Sequence, residues 1–187
     1  MAIKIFIDMG HNPSSHNLGA SADGLYEHDI NYNVGFYLAE LLRANSNFDV
    51  RVSRNSPTEV LGHDQQSSLR ARVDAANNWG ANYFLSIHAN ANVNPKINGT
   101  EMYVYSRTGE SYALAQYLLN SIVQRVGTRD NLVRVNSTFY VLRHTKMPAV
   151  LLELAYLTNP GDHEILRTRQ HEFAEAIYAA LLDYFRI

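Results

Sequence analysis

The chain has 187 residues, a length suited to one domain around one core. Its 46% apolar and 18% charged residues are those of a globular protein, and a formal net charge of −2 leaves no clustered basic footprint for nucleic acid. With no cysteine, disulfides, thiolate nucleophiles and cysteine-based zinc sites are excluded. The eight histidines are therefore the stock for metal binding and proton handling. No apolar run approaches the roughly 20 residues that span a bilayer, so no membrane insertion is expected. The opening "MAIKIFIDMG" lacks the basic start, long apolar region and cleavage site of a signal peptide.

In chain order, "KIFIDMG" (4–10) reads as a buried strand. Residues 29–45 place Ile30, Val34, Tyr37, Leu38, Leu41 and Leu42 on one face at helical spacing. "FDVRVSR" (48–54) alternates as a strand does, and 67–80 reads as a helix with a serine start and a Gly80 stop. "YFLSIHAN" (83–90) and "GTEMYVYS" (99–106) are the third and fourth strands. Leu114, Ala115, Leu118, Leu119, Ile122 and Val126 define a helix ending near Gly127. "TFYVLR" (138–143) and "AVLLELAYL" (149–157) are two more predicted strands, and Phe173, Ile177, Leu181, Leu182 and Phe185 mark a final helix. Strands alternating with helices indicate an α/β fold, with helices on both faces of a mostly parallel sheet. The direct strand-to-strand steps make part of that sheet mixed. Residues 1–187 read as one catalytic-sized domain without linker or repeat.

In open α/β sheets, ligands bind beyond the carboxyl ends of the strands. The first strand ends in Gly10-His11, the third in His88, and the last carries Glu153 among leucines. Glu27 closes a long polar loop at the start of the first helix. Two histidines and a carboxylate, with water in the fourth position, are the usual ligands of a catalytic zinc, and His11, Glu27 and His88 supply that set. Glu153 remains free to act as a general base on water activated by the metal. A carboxylate inside an apolar strand is expensive unless it is paired or functional. Small Ala89 and Ala91 leave space for substrate, and Asn90 is expected to hydrogen-bond it. His16, His28, His63 and His144 also fall in or beside strand-end loops and compete for a ligand position; His28, next to Glu27, is the strongest competitor.

These residues resemble the zinc-dependent N-acetylmuramoyl-L-alanine amidases of bacterial cell walls, and the similarity runs over nearly the whole chain. It is carried by "IFIDMGH", Glu27, Arg54, and the series Asp64, Leu69, Arg72, Ala76 and Asn77. It continues through Ser86 to Ala91, Val141-Leu142-Arg143, Pro148, Glu153 and Asn159-Pro160. The resemblance implies a twisted, roughly six-stranded mixed sheet, one Zn2+ ion on His11, Glu27 and His88, and Glu153 as catalytic base. It matches Arg143 to an arginine near the site that contacts the acidic peptide or orients Glu153. The sequence departs from the family at Asn12-Pro13, where a small residue commonly follows Gly-His, so the loop from Pro13 to Tyr26 is expected to have its own shape.

The implied reaction is hydrolysis of the amide between N-acetylmuramic acid and L-alanine in peptidoglycan, in cell-wall lysis or remodelling. The alternatives are a zinc carboxypeptidase-type enzyme on wall peptides and a non-catalytic wall-binding module. The expected partner is peptidoglycan, with no nucleic acid and no membrane. The protein is expected to be a monomer acting at the bacterial cell wall, as a domain of a secreted autolysin or as an endolysin. Its small net charge gives little pull toward an anionic wall, which leaves room for a separate wall-binding module.

Overall fold

The computed structural model describes residues 2–187. Its main sheet has six strands: β1 (Ile3–Met9), β4 (Phe48–Val52), β5 (Tyr83–Asn90), β6 (Thr100–Val104), β7 (Asp130–Val135) and β8 (Ala149–Tyr156), in the order β4-β1-β5-β8-β6-β7. Strands β4, β1, β5 and β8 run parallel, whereas β6 is antiparallel to β8 and parallel to β7. The expected mixed, mostly parallel sheet is thus observed. A two-residue ribbon of β2 (Ser21–Ala22) and β3 (Leu25–Tyr26) interrupts the loop after β1.

The central strands are buried on both faces, as continuous Ile, Leu, Phe and Val runs require. On one face, Ile5, Ile7, Leu85, Ile87, Val150 and Leu152 pack under α1 (Glu27–Arg43), α3 (Glu110–Val126) and α6 (Gln170–Phe185). Each helix offers an apolar stripe, for example Ile30, Val34, Leu38 and Leu42 of α1, all fully buried. Full burial contributes about 1.5–3 kcal/mol per such side chain. Tyr37, expected on that stripe, is instead exposed.

The opposite face carries Phe6, Phe84, Ala149 and Leu151 under α2 (Gln65–Trp79) and the short α4 (Tyr140–His144). Helix α2 starts at a capping box, in which Asp64 accepts from the Ser67 N–H at 2.6 Å and Ser67 Oγ accepts from Asp64 N–H. It ends at Gly80, whose φ of 68° is the left-handed stop that glycine provides cheaply.

Two assignments differ from the sequence expectation. Residues 138–143, expected as a strand, form a turn and then α4, which buries Val141 and Leu142 against the sheet. Four consecutive apolar residues suit a single helical turn as well as a strand. The sixth strand is instead β7, an edge strand exposed at four of its six residues. Helix α5 (Pro160–Thr168), not anticipated, begins where Asn159 caps the N–H groups of Gly161 and Asp162 and Pro160 takes the first turn.

Candidate active site

The carboxyl ends of β1, β5 and β8 open onto a cavity of about 400 Å³. Gly10, His11, Glu27, His88, Asn90 and Glu153 are among its lining residues. Glu27 enters from the first turn of α1, and its Oε1 lies 3.1 Å from His11 Nε2 and 3.0 Å from His88 Nδ1. The two imidazoles meet edge to face with centroids 4.8 Å apart. Among the described residues, His11, Glu27 and His88 form the one group of three or more such side chains able to share a metal ion, with donor atoms within 4.8 Å of one another.

The surroundings orient this group for a cation. His11 Nδ1 lies 3.0 Å from Asn17 Oδ1, so an N–H there is donated to the amide and the Nε2 lone pair faces Glu27. Glu27 Oε2 accepts from the Ala20 N–H at 2.8 Å and Oε1 from the Ala89 N–H at 3.2 Å. Donors around a tetrahedral ion at about 2.1 Å stand about 3.4 Å apart, close to the nitrogen–oxygen separations seen here. Burial alone pushes the Glu27 carboxyl up, but the His11 and His88 hydrogen bonds and charges outweigh it and hold the group far below the usual carboxylate range. Burial lowers His11, and Glu27 more than reverses this, raising it. The donor set therefore fits a divalent ion of the zinc type.

Two glycines clear the space. A Cβ on Gly10 would lie 2.4 Å from His88 Cε1, and one on Gly19 would lie 2.7 Å from Glu27 Oε2. His11 itself sits at φ 67°, uncommon for a residue with a Cβ. That turn is secured from beneath by Arg72. The buried guanidinium donates to Asp8 Oδ1 at 2.7 Å, to Met9 O at 2.6 Å and to His11 O at 2.6 Å. Ser86 Oγ donates to the other Asp8 oxygen at 2.7 Å. Burial raises Asp8, but the Arg72 charge and hydrogen bond bring its pKa below the ordinary value.

Glu153 stands directly across from His88 in the β5–β8 register, and Glu101 of β6 stands across from Glu153. His88, Glu153 and Glu101 thus form one row across three strands. Glu153 Oε2 is buried without a hydrogen-bond partner. Burial first, then the charges of Glu27 and Glu101, push its pKa well above the ordinary value. A carboxyl so placed takes up a proton more readily than an exposed one.

Asn90 lines the cavity with its amide tied down: Nδ2 donates to Glu101 Oε1 at 2.7 Å and Oδ1 accepts from the Ala91 N–H at 2.8 Å. Arg143 is exposed on α4 and faces a separate groove with Tyr105 and Lys146, outside the cavity lined by its helix neighbours Tyr140 and Val141. The competing histidines lie apart from the cluster. His28 lies 3.2 Å from Leu18 O through Nδ1, His16 lies 3.1 Å from Leu61 O through Nε2, His63 is exposed, and His144 stacks on Tyr140. Asn12, the departure from the common Gly-His-small pattern, is fully buried and brackets Leu61 through both its amide atoms. Sequence reasoning missed Glu101; a carboxylate in an alternating strand reads as solvent-facing, and its register opposite Glu153 is visible only in the sheet.

Two imidazoles and a carboxylate converging beside a separate, unpartnered carboxyl are the parts of a metallohydrolase centre. Residues 5–183 match the family model of the N-acetylmuramoyl-L-alanine amidases, and the chain belongs to that family. It is 37% identical over 167 residues to the N-acetylmuramoyl-L-alanine amidase CwlM of Bacillus licheniformis, covering 89% of this chain and 61% of that one. It is 35% identical over 187 residues to LytC of Bacillus subtilis, another N-acetylmuramoyl-L-alanine amidase, covering 97% of this chain and 35% of that one. The chain thus spans 61% and 35% of the length of these two relatives. The crystal structure of an N-acetylmuramoyl-L-alanine amidase from Clostridium difficile 630 superposes with a TM-score of 0.87 at 32% identity, covering 99% of this chain and 97% of that one.

Proposed function

We propose that these 187 residues act as one catalytic domain that hydrolyses the amide joining the lactyl group of N-acetylmuramic acid to L-alanine, separating stem peptide from glycan. The observation that carries this reading is the row of His88 and Glu153 beside Glu27 and His11, which sets a base with a free oxygen next to a cation-binding cluster. His11, Glu27 and His88 would hold one zinc ion; when bound, the ion supplies Lewis-acid polarisation of the amide carbonyl and acidifies water. Glu153 takes the proton from the attacking water through its unpartnered oxygen and returns it to the departing L-alanine nitrogen. Its raised pKa suits both steps, because the carboxyl accepts a proton readily and keeps it until the amine leaves. Asn90, locked by Glu101, presents a fixed polar edge to the substrate on the cavity wall. Arg143 serves a substrate that extends past α4 out of the cavity. No helix is long and apolar enough to cross a membrane. The substrate named in this reading places the action at the bacterial cell wall.

The test is a purified protein reconstituted with zinc and its Glu153→Gln variant. One zinc per chain in both, with peptide released from peptidoglycan only by the wild type, is the expected result. Equal release by the variant would remove Glu153 from the role of base.

A further inference from the structure

Glu101 raises a question that the hydrolytic scheme leaves open. It is 2% exposed and stands across the sheet from Glu153, whose pKa it helps to raise. Its Oε1 accepts from Asn90 Nδ2 at 2.7 Å and from the Tyr156 hydroxyl at 2.5 Å. A neutral glutamine would satisfy both of those donors. What needs the charge is the other oxygen: Oε2 binds Arg134 Nε at 2.5 Å.

Arg134 reaches Glu101 from the edge strand β7. It is the register partner of Tyr103, two residues along β6 from Glu101, and so lies on the same sheet face as the cavity. Its side chain is 52% exposed. Nε donates its one hydrogen to Asn131 O at 3.2 Å and stands in ion-pair contact with Glu101, while the two Nη groups make no hydrogen bond among the described residues. The guanidinium is therefore fixed along one edge and open along the other, the edge that receives a carboxylate in a two-pronged pair. Two contacts lead from its surroundings to the cavity. Tyr103 packs edge to face on Phe139, a cavity residue, at 5.2 Å, and Asn90 is one carboxylate away through Glu101.

We propose that Arg134, held by the buried Glu101, is a subsite for a carboxylate carried by the peptide arm of the substrate. This rests on the muramoyl-peptide reading above and names where an acidic peptide is gripped outside the cavity. Glu101 then has two positioning duties: it aims Asn90 at the scissile end and Arg134 at the acidic end. One rigid carboxylate thereby links the two contacts.

The experiment uses the full chain in the Glu153→Gln background, so that ligand is bound without being cleaved. The probes are a soluble muramoyl peptide with a free acidic side chain and its carboxamide counterpart, titrated by calorimetry. The expected result is about tenfold tighter binding of the free acid, lost in Arg134→Gln and reduced to a few-fold in Arg134→Lys, which keeps a cation beside Glu101 but not the fork. Thermal melts identify an Arg134→Gln protein that fails to fold, in which case Arg134→Lys decides. An Arg134 variant with the parental preference overturns the subsite, as does equal binding of the two probes, or absence of binding, in the parent. Failure of the wild type to hydrolyse a muramoyl peptide that it binds overturns the proposed reaction alone.

Discussion

Replacing Arg72 by methionine tests how the turn that carries His11 is held. The guanidinium is 1% exposed and bridges Asp8, Met9 O, His11 O and Asn12 Oδ1. Methionine fills much of the volume but leaves Asp8 as a buried carboxylate with only Ser86 as a side-chain hydrogen-bond partner. Breaking a buried ion pair by removing one partner costs about 3–5 kcal/mol. The orphaned carbonyls do not add in full, because all these contacts share one network. A loss of about 4 kcal/mol at neutral pH is expected, and at about 2–4 °C per kcal/mol for a chain of this size the midpoint falls by about 8–16 °C. The pH dependence follows from Asp8. Its folded pKa lies below the ordinary 3.8, so the pair's stabilisation is present above that value and is lost as pH falls through the lower folded one. The gap between wild type and variant should be widest at pH 7 and narrow toward pH 3. Urea unfolding at several pH values reads it directly. In the same variant His11 loses the donor on its carbonyl, and zinc affinity should fall about 10–100-fold, as for other residues that orient a ligand. A variant within 1 kcal/mol of wild type at pH 7, or with unchanged zinc affinity, would refute the reasoning.

Three further outcomes follow from the same geometry. Glu153→Gln should lower the rate about 10²–10⁴-fold, the usual contribution of a general base, measured by peptide release. The same substitution should raise the melting temperature of the metal-free protein at pH 7 and above. Because the folded pKa of Glu153 is raised, its ionised form opposes folding there, and that penalty disappears on acidification toward 4.5. Gly10→Ala should reduce zinc affinity at least about tenfold in a competition titration, since the new methyl would collide with the His88 ring and with Ile87 O at 2.7 Å.

The parts of this architecture with strong periodicity were legible from residues alone. Strands β1, β5 and β8 are continuous apolar runs, and α1 repeats its apolar residues at helical spacing, so burial and period agree. The edge strand β7 was not legible, because its "DNLVRV" is largely polar and exposed and its pairing depends on β6. Residues 138–143 failed for the opposite reason: an apolar run too short for its period to discriminate. The four residues proposed for the site drew notice because each is a polar side chain set at or within an apolar strand or at a helix start. His11 and His88 close strands, Glu27 opens α1, and Glu153 interrupts leucines. Glu101 and Arg134 gain their meaning only from strand register, which a list of residues does not contain. Arg143 sits in a recognisable segment, yet that segment is a helix whose outer side carries it away from the cavity.

The most direct test of the central claim is digestion of purified peptidoglycan by the zinc-loaded protein, with and without a chelator, followed by mass analysis of the products. The account predicts intact stem peptides with a new free L-alanine amino group and glycan bearing a new lactyl carboxylate, all abolished by the chelator and restored by zinc. Trimmed stem peptides still attached to glycan, or release that the chelator does not affect, would contradict it.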